Sequence, residues 1–221
     1  MSIAQSIAHF QRELAGTAAR LVAVSKIHPP ERIQEAYDAG QRLFGENRVQ
    51  ELLSKHPALP ADIEWHLIGH LQTNKVKQIA GFVHTIQSVD SLRLLQEIDK
   101  HAARHQRRIR VLLQFHIARE DTKFGLSLPE AEELLREAGP LEHVQVAGVM
   151  GIATNTDDQA QLRREFTALR TYFEHLRQHF FAHDENFREI SMGMSGDYRL
   201  ALAEGSTLIR VGSAIFGSRP A

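Results

Sequence analysis

The stretch LVAVSKIHPPERIQEAYDAGQRLFGEN, residues 21–47, decides the fold. Four apolar residues lead to Ser25 and Lys26, as in a strand buried in a sheet. Pro29 and Pro30 then suit the first turn of a helix, apolar residues recur at three- and four-residue steps, and Gly40 ends the pattern. A second β-like run, 42–47, follows at once. The unit is strand, helix, strand.

Working outward, the same unit repeats to the end of the chain. Further strands are predicted at 64–69, 83–89, 108–117, 144–152, 189–193 and 207–217. Helical patterns lie between them, among them SLRLLQEIDKHAARH, AEELLREAG, DQAQLRREFTALRTYFEHLRQHF and YRLALAEG. Ahead of the first strand, MSIAQSIAHFQRELAG reads as an amphipathic helix with Ile3, Ile7, Phe10 and Leu14 on one stripe. Such alternation implies right-handed crossovers and a parallel sheet covered by helices. Eight units fit a compact (β/α)8 TIM barrel, usually about 250 residues, preceded here by an extra N-terminal helix. An open doubly wound sheet of five or six strands is the alternative. No linker or shift of composition divides the chain, so residues 1–221 are read as one domain.

Composition removes several function classes. There are 26 basic and 27 acidic residues in 221, a formal charge of −1, which argues against nucleic-acid or anionic-membrane partners. With no cysteine, disulfides, iron–sulfur clusters, thiolate zinc sites and a cysteine nucleophile are excluded. No apolar run approaches the roughly 20 residues that span a bilayer, and the N-terminus lacks a signal peptide's apolar stretch. The expectation is a soluble cytoplasmic protein, and without an apolar helix patch, a monomer.

In such a barrel the site lies at the carboxyl ends of the strands. Lys26 closes the first. A partly desolvated amine there has a lowered pKa and attacks carbonyls, although the same lysine could lie along the rim as a surface residue. SMGMSGD follows the seventh strand, and RVGSAIFG ends or follows the eighth. Small residues let backbone N–H groups approach an anion, and the Ser195–Gly196–Asp197 turn opens a helix. Barrels commonly bind phosphate between these two loops. The plainer readings are an ordinary N-cap at Ser195 and a tight turn at Gly212. Arg210, inside the apolar LIRV, must find an acceptor at the barrel mouth or a structural ion pair. His66 and His70 are four apart but have no acidic third ligand at a known spacing, so a metal reading is weak. The arginine-rich run 104–110 reads as a solvated helix end.

A lysine on the first strand, phosphate-type loops on the last two and a nearby arginine resemble the pyridoxal 5′-phosphate (PLP) barrels. Longer blocks are closer still: AVSK, FGENRVQE, WHLIGHLQTNK, KFGL and SMGMSGDYRLALAEGSTLIRVGSAIFG resemble the pyridoxal phosphate homeostasis protein family. That family resembles the N-terminal barrel of alanine racemase and is classed with the fold-type III PLP proteins. The resemblance implies PLP as cofactor, held as a Schiff base on Lys26. Asn47 matches a residue lining the cofactor. Ser195, Gly212 and Ser213 match the phosphate cradle, with Met194 beside it, and Arg210 matches the arginine facing the pyridine nitrogen. Ser213 stands where the family usually has threonine. The stretch 150–155 replaces a proline-containing segment, and His116 a smaller or amide side chain.

An arginine at the pyridine nitrogen disfavours its protonation and weakens the ring as an electron sink. The racemases add an opposed tyrosine from a separate C-terminal domain, whereas Tyr37, Tyr172 and Tyr198 all fall in helical patterns here and the chain ends just after the barrel closes. The resemblance therefore implies a PLP carrier in cofactor homeostasis with little turnover, PLP-dependent apoenzymes being its further partners. A PLP-dependent racemase or lyase is the alternative. A barrel binding a sugar phosphate, with Lys26 as an aldolase-type nucleophile, is another.

Overall fold

The computed structural model describes residues 1–119 and 124–217. Its strands are β1 (Arg20–Val24), β2 (Leu43–Glu46), β3 (Glu64–Leu67), β4 (Thr85–Val89), β5 (Ile109–Phe115), β6 (Val144–Gly151), β7 (Glu189–Ser191) and β8 (Leu208–Val211). Each pairs in parallel with the next, and β1 pairs with β8, with Val22 opposite Arg210, so the sheet closes on itself. The open-sheet alternative is excluded.

Helices α1 (Ile3–Leu14), α2 (Pro30–Asp38), α3 (Val49–Lys55), α4 (Val76–Ile79), α5 (Leu92–Arg104), α6 (Leu128–Glu137), α7 (Gln159–Phe180), α8 (Tyr198–Ala203) and α9 (Ser213–Phe216) surround the barrel. Helix α1 is the extra element. Ser2 and Gln5 form its capping box, and Ile3, Ile7, Phe10 and Leu14 are buried, as the stripe requires. It packs on α2 and α9, and its Glu13 accepts a hydrogen bond from the Tyr198 hydroxyl of α8.

Alternation along the strands sorts the interior into two regions. Leu21, Ala23, Phe44, Trp65, Leu67, Ile86, Val111, Leu113, Ile190, Ile209 and Val211 point outward into the main core under the helices. Val22, Leu112, Ala147, Met150 and Leu208 form a smaller cluster inside the barrel. Many of the other inward positions are polar. Arg20, Glu64, Arg110 and Glu189 stand near the amino ends, and Gln87, Gln114, Ser191 and Arg210 nearer the carboxyl ends.

One predicted element ends early. The eighth strand stops at Val211, and Ser213–Phe216 coils into α9. An apolar run is equally compatible with either state; Gly212, at φ −118° and ψ −72°, breaks the extended chain and leads into the turn of helix.

Candidate functional site

A cavity of about 560 Å³ opens at the carboxyl ends of the strands. Lys26, Asn47, Met194, Ser195, Arg210, Gly212 and Ser213, the seven residues singled out from the sequence, all line it. His28, Ile68, Gly69, His70, Gln114, Phe124 and Ile152 complete much of the wall.

Lys26 is half-buried in a tight turn directly after β1, closed by the His28 N–H donating to the Ser25 carbonyl at 3.1 Å. The next residue, Ile27, has φ +67°, a left-handed conformation that a β-branched side chain rarely adopts. Its N–H donates to Glu51 Oε2 at 2.6 Å, which holds the turn in place. Behind the turn lies a buried charged network. Lys55 Nζ donates to the Ser25 carbonyl, to Glu46 Oε1 and to Glu51 Oε2 at 3.0, 2.7 and 2.9 Å. The Ser25 hydroxyl donates to Glu46 Oε1 at 2.6 Å. Burial pushes the Glu46 carboxyl up to about 7, against the opposing pull of Lys55 and Ser25. Among the described residues its Oε2 has no hydrogen-bond partner.

Gly212 explains how the last strand reaches the first. A Cβ there would stand 3.1 Å from the Val24 carbonyl oxygen and 3.3 Å from Val24 Cβ, so glycine lets the β8–α9 turn lie against the end of β1 without displacing it. Gly69 does the same opposite: a Cβ would fall 2.3 Å from the Asn47 carbonyl oxygen. In the loop after β7, the Met194 carbonyl accepts from Asp197 and Tyr198, and Asp197 Oδ1 accepts from the Met194 N–H. Ser195 and Gly196 take no part in these bonds. Asp197, rather than Ser195, precedes the first turn of α8. At the head of α9 the first N–H groups, beginning with Ser213, have no acceptor inside the helix.

Arg210 is buried and its head is fixed. Nη1 donates to Ser191 Oγ at 2.7 Å and Nη2 to the Gly151 carbonyl at 2.8 Å. Burial lowers its pKa to about 10, still well above neutrality. Among the described residues its hydrogen-bond partners are thus a hydroxyl and a carbonyl, not the carboxylate of a structural ion pair. From Ser191 the chain of bonds continues to Gln87 Oε1 at 2.7 Å, and from Gln87 Nε2 to His66 Nδ1 at 2.8 Å. His66 therefore lies in the barrel interior. His70, by contrast, stacks on Phe124 at the cavity wall, with centroids 4.2 Å apart, so the two histidines paired by spacing are not brought together.

Of the segments set apart from the family pattern, Ile152 lines the cavity and the Gly151 carbonyl holds Arg210, whereas His116 is not among the lining residues. Lys123 of KFGL lies outside the described residues. Sequence reading missed Glu46, Glu51 and Lys55. Their signal is the i,i+4 pair Glu51–Lys55 placed just after FGEN, which by itself reads as a solvated helix face.

Over residues 2–220 the chain matches the family described as alanine racemase, N-terminal domain. It is 39% identical over 202 residues to the pyridoxal phosphate homeostasis protein of Aquifex aeolicus, which covers 91% of this chain and 87% of that one. To the Escherichia coli protein of the same name it is 33% identical, covering 98% and 97%. PipY of Synechococcus elongatus, in a structure with PLP bound, superposes with a TM-score of 0.88 at 39% identity, covering 98% of this chain and all of that one. Alanine racemase from Bartonella henselae shares the fold at a TM-score of 0.76 and 16% identity, over 99% of this chain and 63% of the racemase. With barrel, loops and relatives in agreement over nearly its full length, the chain belongs to the pyridoxal phosphate homeostasis protein family.

Proposed function

We propose that this chain binds PLP in the cavity at the carboxyl ends of its strands and serves intracellular PLP homeostasis. The observation that carries this reading is the convergence of Lys26, from the first strand, with Ser195 and the Gly212–Ser213 turn, from the last two, on one wall. The volume is within the range of small-molecule sites, roughly 300–1,000 Å³. It leaves room for a small amine beside the cofactor.

When bound, PLP supplies an aldehyde that links reversibly to amines and a ring that accepts electrons. Lys26 is the amine that holds the aldehyde, in a turn fixed by Glu51. The N–H groups of the two loops and the hydroxyls of Ser195 and Ser213 receive the phosphate. Arg210, anchored to Ser191 and Gly151, presents a cation to the pyridine nitrogen and disfavours its protonation. Asn47 and Met194 flank the ring.

Little turnover is expected of this arrangement. Racemisation needs a second base facing the lysine, and none of the three tyrosines lines the cavity: Tyr37 bonds to Asp62, Tyr198 to Glu13, and Tyr172 packs on Phe115. The chain keeps a reactive aldehyde away from other amines and yields it to an incoming amine or an acceptor apoenzyme.

Absorbance of the holo-protein tests the assignment. A near-violet band that disappears in Lys26→Ala is the expected result, and a band unchanged in that variant would overturn it. Exchange of amino-acid α-protons, followed by NMR on the holo-protein, tests the absence of turnover. Enzyme-like rates would replace the carrier with a racemase or lyase.

A further inference from the structure

Three side chains converge at the end of the barrel opposite the cavity. Glu64 opens β3, His66 lies two residues on and faces the same way, and His84 immediately precedes β4. One ligand atom from each lies within 4.8 Å of the other two, and no other such trio of histidine and carboxylate groups occurs among the described residues. His84 Nε2 is 3.7 Å from Glu64 Oε2. The two imidazoles are nearly parallel, at 19°, with centroids 5.7 Å apart.

Both rings are held from behind in the same way. His84 Nδ1 lies 2.9 Å from Thr85 Oγ1, and His66 Nδ1 lies 2.8 Å from the Gln87 amide. Each Nδ1 is thereby occupied, and each Nε2 is the atom left for the cluster. For His84 that atom approaches Glu64. For His66, which is 2% exposed, it is buried and has no hydrogen-bond partner among the described residues. An unpartnered polar atom this deeply buried is costly unless something fills the site.

We propose that Glu64, His66 and His84 bind a divalent transition-metal ion of the zinc class on the amino-terminal face of the barrel. Two imidazoles and one carboxylate are a familiar zinc set that leaves a fourth position for water. Metal-bound histidines characteristically have the other ring nitrogen engaged, as both do here. Zinc holds such atoms at about 2.0–2.2 Å, which sets them roughly 3.4 Å apart around a tetrahedral centre. The Glu64–His84 pair is nearly there. The widest pair closes by rotation of Glu64 and His84, each 37% exposed, while His66 stays fixed in the core. Those two exposed side chains also supply the entry path. Arg20 and Arg110 make their direct ion pairs with Glu189, at 2.5 and 3.1 Å, which leaves the Glu64 carboxylate oxygens to the histidines although Arg110 still feels its charge.

Binding through His66 Nε2 places the proton on Nδ1, so Gln87 must turn its carbonyl oxygen toward His66. Amide oxygen and nitrogen have the same shape; after the rotation Gln87 Nε2 donates to Ser191 Oγ, whose own proton gives up its present acceptor, Gln87 Oε1.

The test uses untagged full-length protein stripped with a chelator. His175 and His179 stack on α7 with centroids 4.2 Å apart and could capture metal on their own, so all measurements are made in His175→Gln/His179→Gln protein. Calorimetric titration with Zn²⁺ should give one equivalent, and Co²⁺ should produce a visible d–d band. Glu64→Gln and His84→Ala should each weaken Zn²⁺ binding by about tenfold or more. Neither relies on altering the buried His66, and melting curves without metal verify that both variants fold. The proposal is overturned if Zn²⁺ does not bind in the His175→Gln/His179→Gln protein, leaving a buried water as the partner of His66. It is equally overturned if binding survives in the Glu64→Gln/His84→Ala double variant.

Discussion

Lys55 and Glu46 form a buried ion pair, Nζ to Oε1 2.7 Å, directly behind the turn that carries Lys26. The same ammonium grips the Ser25 carbonyl at 3.0 Å, so the charge of one helix fixes the backbone of the neighbouring strand end. Breaking such a pair from one side strands a charge, which typically costs about 3–5 kcal/mol. The pair thus holds the direction in which Lys26 leaves the barrel.

Its titration gives the first prediction. Burial raises the folded-state pKa of Glu46 from the usual 4.5 to about 7. Between these values the folded chain binds more protons at this group than the unfolded one, so its contribution to stability is fully present below pH 4.5 and is lost as pH rises through 7. In Glu46→Gln that contribution vanishes. Urea midpoints between pH 5 and 8 should therefore decline less steeply with rising pH in the variant than in the parent.

Gly212→Ala should weaken both folding and PLP binding. The added methyl presses on the Val24 carbonyl, and the β8–α9 turn must shift by a few tenths of an ångström. Small overpacking of this kind costs about 1–3 kcal/mol. We expect a fall of several degrees in Tm and PLP affinity lowered by about tenfold or more, measured by equilibrium dialysis. Unchanged affinity would remove this turn from the phosphate site.

The barrel was legible because each strand is a short apolar run bounded by helix starts and stops, as at Pro30 and Gly40. That Lys26, Ser195 and Gly212 line the cavity was legible for a related reason: polar and small residues at strand ends stand out against apolar strands. Buried polar partners were not. Glu51 and Lys55 share a helix face, and nothing local says that Lys55 is 5% exposed. His66 was weighed against His70 by spacing along one segment, yet its neighbours are Glu64 on its own strand and His84 on the next, where His66 pairs with Thr85 in register. Such proximity is created by the register in which β3 pairs with β4, which leaves no mark on either segment alone.

Arg210→Gln should change the electronic character of bound PLP. The shorter amide ends about where Nε stands, so it leaves the Ser191 hydroxyl and the Gly151 carbonyl without their charged donor and places no cation at the ring nitrogen. Losing one charged hydrogen bond of this type costs about 1.5–3 kcal/mol, read as a lowered Tm. The absorbance of the holo-variant should shift as the pyridine nitrogen becomes easier to protonate. A spectrum identical to the parent's would mean that Arg210 does not face the ring.

Ile27→Gly opposes stability to function at a single residue. The left-handed conformation at φ +67° costs a non-glycine residue roughly 1–2 kcal/mol, which glycine avoids. Against that, glycine's freer unfolded chain costs about 0.5–1 kcal/mol. The balance is a Tm equal to or slightly above that of the parent. PLP binding should move the other way, because the turn no longer has one strongly specified geometry and Lys26 samples directions away from the cavity. Dialysis should show affinity reduced several-fold with the near-violet band retained at saturating PLP. A variant that is both less stable and unchanged in affinity would mean that the strain at Ile27 has no part in aiming the lysine.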